Sequence, residues 1–252
     1  MSKEIVDPRA LAQDFWGNLS AEDFSAPIVS IGQGTGTKGL PGNFIFNSGD
    51  EKPELLNCKL IYVKKGRVLY SSKSRSLCGS DDFYKPADRH ENKMSIDCAT
   101  CPLKDWGANE TKETIKKQHG LTLVKDLEKP MCHETYNLLM ADENCHPFFI
   151  SFQKSQLKVV SEKLLSRLRM SFGSHAPFLV SFDMSLFKKQ GSGVSYYTTV
   201  FENFKPLENA EEIDKMTTMY RAWASKAADV LARQYEESDA EYLNKEKNVG
   251  EE

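Results

Sequence analysis

The residues best placed to do chemistry are six cysteines, and two of them, Cys98 and Cys101, stand two residues apart in "CATCPLKDWG". A C-x2-C turn can point both thiolates at one metal ion, because zinc takes four soft or borderline ligands in a tetrahedron. Cys78 in "LCGSDDF" and Cys132 in "PMCHETY" sit next to small or turn-favouring residues on either side. Together Cys78, Cys98, Cys101 and Cys132 predict a structural Zn2+ site that folds residues 78 to 132 around one ion, with His90 or His133 able to replace one thiolate. A redox pair would place the C-x2-C at a helix start after a buried strand, and "MSIDCATCPLKDWG" has no convincing strand before it. Disulfides are the third reading. The N-terminus lacks a basic start followed by an apolar run, so the expectation is a cytoplasmic, reducing address that disfavours them.

A catalytic zinc keeps an open position and needs a nearby base. Zinc deaminases pair P-C-x2-C with H-x-E; here the proline follows the second cysteine and Glu91 directly follows His90. No Ser/His/Asp or paired-carboxylate arrangement is legible, and the adjacent Asp81 and Asp82 read as a turn. The expectation is therefore no enzyme and no catalytic residues. The remaining thiols read as structural: Cys58 as a small core residue between Leu56 and Leu60, and Cys145 as the approach to a strand. His119 reads as a helix C-terminal residue and His175 as a loop residue.

A second chemistry lies upstream. From Cys58 to Arg75 the chain carries Lys59, Lys64, Lys65, Arg67, Lys73 and Arg75 without one acid, and Tyr62 and Tyr70 fall in the same run. Side chains on a strand alternate faces, so one face can present cations while the other fills a core. Single-stranded nucleic acid needs such cations for phosphates and rings on which bases stack. Tyr62, Tyr70, Phe83 and Tyr84 are candidate platforms, with Tyr196 and Tyr197 in a later strand of similar pattern. The glycine-rich "GQGTGTKGLPG" fits G-x-G-x-x-G at Gly34, Gly36 and Gly39, but Leu40-Pro41-Gly42 follows where a helix should start. It reads as a loop rather than a phosphate cradle.

These residues need elements to hold them. Hydrophobic residues make up 40% and charged ones 27%, which allows a real core. No window is apolar enough to span a membrane. A short helix is expected over 8–24, then strands at "APIVSIGQG" and "FIFNSG". "LLNCKLIYVKKGRVLYSSKSR" reads as two strands around a Lys65-Gly66 turn. Residues 76–146 hold five of the six cysteines and four of the five histidines, and read as an insertion too poor in aliphatic residues at its start to fold on a core alone. "HPFFISFQ" reads as a strand, and "SQLKVVSEKLLSRLRMSF" as an amphipathic helix burying Leu157, Val160, Leu164 and Leu168. "FLVSFDMSLFK" and "SYYTTVFENFK" form a hairpin, a long helix spans Asn209 to Glu236, and the acid-rich end reads as a disordered tail.

Strands, an inserted cysteine module, a basic and aromatic surface and an acidic tail, in that order, resemble the single-stranded DNA-binding (helix-destabilising) proteins of bacteriophages. That resemblance covers about residues 28–252 as an order of features, and residue by residue it rests on Cys98 and Cys101. It implies an OB-type barrel, a zinc subdomain, and protection of single-stranded DNA in DNA replication and recombination. The basic N-terminal arm that supports cooperative binding in that group has no counterpart in "MSKEIVDPRAL".

The reading that follows is an α+β protein: an OB-like antiparallel β-barrel with an inserted zinc subdomain and a long C-terminal helix. Its expected segments are 1–75 (first part of the barrel), 76–146 (zinc insertion), 147–206 (rest of the barrel), 207–236 (helix) and 237–252 (tail). Its expected ligand is single-stranded DNA, held by Lys59, Lys64, Lys65, Arg67, Lys73 and Arg75 with Tyr62, Tyr70 and Tyr84 under the bases. Replication proteins are expected partners of the acidic tail, and no membrane is involved. In the alternative, the zinc module docks onto a polymerase or another replication or transcription factor.

Overall fold

A computed structural model of the chain describes residues 25–33, 39–70, 76–80, 97–119, 121, 126–191 and 194–230. The expected helix at 8–24, the tail 237–252 and the end of the long helix, 231–236, lie outside the described residues. The fold is mixed α+β with a strongly curled sheet. No described helix is long and apolar enough to cross a membrane.

Contacts divide the chain into two compact units. The first comprises Met1–Val63, Leu138–Ile150 and Lys158–Val230; the second comprises Lys64–Asn137, Ser151–Leu157 and Leu231–Glu252.

In the first unit, β1 (Ile28–Ile31), β2 (Phe44–Phe46) and β3 (Glu51–Lys52) form an antiparallel meander. The glycine-rich stretch leads into β2 and not into a helix, with its ends tied by Gly32 N–H donating to Asn43 O and Gly42 N–H to Gly32 O, both at 2.9 Å. β4 (Glu54–Tyr70), β6 (His133–Ala141), β7 (Pro147–Gln153), β8 (Val180–Gly191) and β9 (Val194–Pro206) complete the sheet in the order β3-β2-β1-β7-β6-β4-β8-β9, with β1 parallel to β7. Residues 138–141 and 148–150 are buried consecutively, not alternately, which marks strands covered on both faces. The expected β8–β9 hairpin is present, paired from Val180 opposite Pro206 to Gly191 opposite Val194 with one register shift between Ser181 and Asp183.

Two irregularities in this hairpin region share one anchor. Asn57 (φ 46°) sits where the β4–β8 register shifts, and Asn203 (φ 53°) sits beside the shift in β8–β9. The Asp183 carboxylate accepts from Asn57 N–H on one oxygen and from Asn203 Nδ2 on the other, both at 2.8 Å. Asparagine tolerates the left-handed conformation better than most residues, and the carboxylate satisfies the donors that the bulges displace.

The amphipathic helix is present over 155–172, as α2 (Ser155–Val159), a π-helical segment (Val160–Leu165) and α3 (Ser166–Phe172). Val160, Leu164 and Leu168 are buried, as expected from the sequence, and Leu157 is half-buried. Their four-residue spacing drifts by about 40° per step on an ideal α-helix, and the wider π turn takes up part of that drift. Ser166 marks that turn: its N–H and its hydroxyl, the latter at 2.8 Å, both donate to Ser161 O, five residues back.

The helix expected over 209–236 is shorter in the described residues. α4 spans Ala210–Trp223, capped by the Asn209 side chain, and a turn follows at 224–226. Ala and Lys at that turn favour helix, so packing sets the break and not propensity. Trp223 lies edge-on to Phe149 at 6.4 Å, and Ala227 and Val230 are fully buried beyond the turn.

In the second unit the thiols Cys78, Cys101 and Cys132 pack with apolar side chains. Leu69, Leu103, Ile115, Leu121 and Met131 form an apolar cluster, with Leu77 and Leu127 packed against it. It is built from β5 (Ser76–Ser80), which pairs with β4, a short 3-10 turn at Pro102–Lys104, and α1 (Glu110–Gln118). The apolar residues escaped notice because each element, β4, β5, the 3-10 turn, α1 and the loops that follow, contributes only one or two of them, so no single segment shows a period.

Candidate nucleic-acid interface

The basic run is laid out along β4 without the expected turn: the strand runs unbroken through Lys65 and Gly66. Gly66 serves close approach instead. A Cβ there would stand 2.6 Å from Ser80 O, 3.0 Å from Thr135 Oγ1 and 3.1 Å from Asn137 Nδ2, so flanking strands occupy the space a side chain needs.

Side-chain placement divides the predicted phosphate ligands. Lys59 is fully buried; its ammonium lies 2.7 Å from Glu212 Oε1 and donates to Asp142 O at 3.4 Å. It belongs to a buried ion pair and is withdrawn from the phosphate-binding set, because charge in a sequence does not reveal which face of a strand is covered. Tyr62 and Lys64 are half-buried. Lys65 is exposed, with its ammonium 5.2 Å from the centre of the Tyr136 ring. Arg67 pairs with Glu134 at 3.1 Å. Tyr70 ends the strand, its backbone opposite Ser76. Lys73, Arg75, Phe83, Tyr84 and His90 lie outside the described residues. In the first unit, half-buried Tyr196 and Tyr197 stand opposite Lys189 and Lys188, with Phe187 60% exposed on the same hairpin. Gln33 holds Tyr197 by its backbone, accepting from its N–H at 2.8 Å and donating to its carbonyl at 3.1 Å.

The four predicted zinc ligands come from three segments of the second unit. Cys78 lies on β5 opposite Leu69. Cys98 and Cys101 bracket a turn in which Asp97 Oδ1 accepts from Ala99 N–H at 2.7 Å. Cys132 is drawn in by Leu103 O, which accepts from Met131 N–H at 2.9 Å and from Cys132 N–H at 3.0 Å. Cys78, Cys98 and Cys101 are buried and Cys132 half-buried, all as free thiols. Burial raises the Cys98 and Cys101 thiols and pushes Cys132 up to about 12; Cys78 and Cys101 add to the rise at Cys98 and at Cys132. Cys78, Cys101 and Cys132 pack at one apolar cluster. Among the described residues, no three His, Cys, Asp or Glu side chains are grouped closely enough to hold a metal ion as they stand. Cys58, expected as a core residue, is fully buried, and burial raises its thiol strongly. Cys145 sits at φ 62° in the β6–β7 turn, as the sequence reading expected of a residue leading into a strand.

Beside Cys132 the second unit opens into a cleft of about 660 Å³, lined by Arg67, Lys104, Trp106, Lys129, His133 and Lys154 among others. Among the described residues, Glu134 is the one acid that lines it. Trp106 is 76% exposed. Three cations hold a carboxylate: Arg67 with Glu134 at 3.1 Å, Lys104 with Asp105 at 2.6 Å, and Lys129 with Asp126 at 3.0 Å. Burial, and then Lys154, lower the pKa of His133 and favour its neutral form.

One buried lysine organises the rim. Lys112 on α1 is fully buried, and its ammonium donates to Asp105 O at 2.6 Å, Gly107 O at 2.7 Å, Leu127 O at 3.0 Å and Lys129 O at 3.2 Å. Gly107 N–H adds a bond to Glu128 O at 2.7 Å. The two loops that carry Trp106 and Lys129 are thus stitched together from beneath.

Sequence reasoning missed Trp106, Lys104, Lys129 and Lys154 as a group. "PLKDWG" holds a legible signal, a tryptophan in a Pro/Gly-bounded loop beside a lysine, but Lys129 and Lys154 reach the cleft only through the fold. No family pattern matches this chain, and no curated protein sequence matches it.

Proposed function

We propose that this protein binds single-stranded DNA, without catalysis, as a cytoplasmic factor in replication or recombination. The observation that carries this reading is the cleft of the second unit, where Arg67, Lys104, Lys129 and Lys154 surround an exposed tryptophan. Cations supply the sequence-independent attraction to phosphate and rings supply the preference for unpaired bases. Lys64, Lys65 and Arg67 on β4 remain phosphate contacts in this reading, as do Lys73 and Arg75; Tyr62, Tyr70 and Tyr84 remain base platforms. Lys188 and Lys189 beside Tyr196 and Tyr197 supply a second surface of the same kind. The curled sheet is compatible with an OB-like barrel.

Cys78, Cys98, Cys101 and Cys132 would hold a structural zinc ion in this account. What supports this is that Cys78, Cys101 and Cys132 pack at one apolar cluster, with Cys98 three residues before Cys101; a closed four-sulfur site would leave no open position for catalysis. Neutral thiols have no reason to close to ligand distance by themselves. Partners in replication would be recruited by the acidic residues at the C-terminal end.

The test is a titration of labelled oligo(dT) with the full chain and with a Lys104→Glu/Lys129→Glu/Lys154→Glu variant. The wild type binds, and the variant binds at least about ten-fold more weakly, as loss of three phosphate contacts requires. Equal binding by both proteins removes the cleft from the interface.

A further inference from the structure

We propose that Trp106 is a fixed platform for one unpaired base, and that Lys112 is the positioning residue that mounts it. The inference rests on the nucleic-acid reading and narrows it to a single subsite. A tryptophan 76% exposed usually sits on a pliable loop, yet here the carbonyls on both sides of it, Asp105 O and Gly107 O, are held at 2.6 and 2.7 Å by a buried ammonium. The same ammonium holds Leu127 O and Lys129 O across the gap, and Gly107 adopts φ +97°, which suits glycine. The ring is therefore carried on a braced backbone with most of its surface open. A preorganised ring loses little freedom when a ligand covers it.

The charges around it say what kind of ligand. Arg67, Lys104 and Lys129 each hold a carboxylate already, so a phosphate must compete with Glu134, Asp105 and Asp126 for them. Phosphate attraction alone is weakened by that competition, and stacking on Trp106 has to supply the difference. The cleft, at about 660 Å³, falls in the range of sites for one small organic group, about 300–1,000 Å³. A base can reach the ring only when it is free of its pairing partner and of its neighbours in a stack. The subsite thus selects one flipped-out or single-stranded nucleotide, its phosphates directed to the surrounding cations.

The experiment compares oligo(dT) with an oligonucleotide of equal length and charge whose bases are replaced by abasic sites, using the full chain. The wild type should prefer oligo(dT) by about ten-fold or more, the size of one stacked base. Trp106→Ala, a surface change, should reduce that preference by about five-fold or more, the share of one stacked base, and leave the salt dependence of binding intact. Trp106 fluorescence, taken as the difference between wild type and Trp106→Phe, should be quenched by oligo(dT) and not by the abasic strand. Lys112→Met should show the same reduced preference and lose the quenching while still binding the abasic strand, which a merely folded-or-unfolded role would not produce. Full preference in Trp106→Ala, or equal wild-type affinity for both strands, overturns the platform while leaving DNA binding in place. No wild-type binding to either strand overturns both readings. Quenching by an acidic peptide and not by oligo(dT) overturns the platform in favour of a protein-docking surface.

Discussion

Replacing Lys112 by methionine tests whether one buried ammonium holds the second unit's loops together. The side chain is fully buried, and its four acceptors are backbone carbonyls at 2.6 to 3.2 Å. Methionine has nearly the same length and no donor, so the substitution removes the bonds with little change in packing. The ammonium has three N–H groups to share among the four carbonyls, and hydrogen bonds to a charged group contribute about 1.5 kcal/mol or more each, so about 4 kcal/mol is lost. Removing a buried charge returns part of its desolvation penalty, which brings the expected net loss to about 3 kcal/mol. For a chain of this size each kcal/mol lowers the melting temperature by about 2–4 °C, so the melt should fall by about 6–12 °C. Thermal and urea melts followed by tryptophan fluorescence measure it. Lys117→Met, on the exposed side of the same helix, is the control and should stay within about 0.5 kcal/mol of wild type. A Lys112→Met protein that melts with the wild type would refute the clamp and remove the physical reason for a fixed Trp106.

The remaining predictions concern packing, the buried ion pair and the thiols. Gly66→Ala pushes a methyl against Ser80 O on the neighbouring strand and should destabilise by about 1–3 kcal/mol in a urea melt; a neutral result would mean that the strands around Gly66 separate freely. Glu212→Ala strands the fully buried Lys59 ammonium and should cost about 3 kcal/mol, whereas Lys59→Met leaves a carboxylate that is one-third exposed and should cost clearly less. Melts in the reverse order would show that Lys59 is not held as described. Purified protein should contain one zinc per chain by elemental analysis, and Cys98→Ser should lose both the metal and the cooperative melt. Zinc-free protein with an unchanged melt would leave the thiol cluster as core packing alone.

How much was legible depended on whether a residue's role is written in its neighbours along the chain. The β8–β9 hairpin was readable because β-branched and aromatic runs flank "KQGSG", and the helix over 155–172 because its apolar residues recur at helical spacing. Lys65-Gly66 was misread because glycine marks a turn and a close strand approach with the same letter; only Ser80 and Asn137, distant in sequence, decide between them. Lys59 was misread for a related reason: its partner Glu212 lies more than 150 residues away, and nothing local tells a buried lysine from a solvated one. The cysteine spacing drew attention to Cys132, but the cleft that Cys132 lines was hidden. Lys112 drew no reading from the sequence, because its four carbonyl partners are scattered over two loops.

The most direct test of the central claim is an anisotropy titration of the full chain against labelled oligo(dT) at two salt concentrations, with an equal-length duplex as competitor. DNA binding through the cationic cleft predicts tight binding at low salt, a loss of affinity at the higher salt of about 0.7 log units per phosphate contact for each ten-fold rise, and little displacement by duplex. No binding at low salt, or displacement by duplex as effective as by unlabelled single strand, would contradict it.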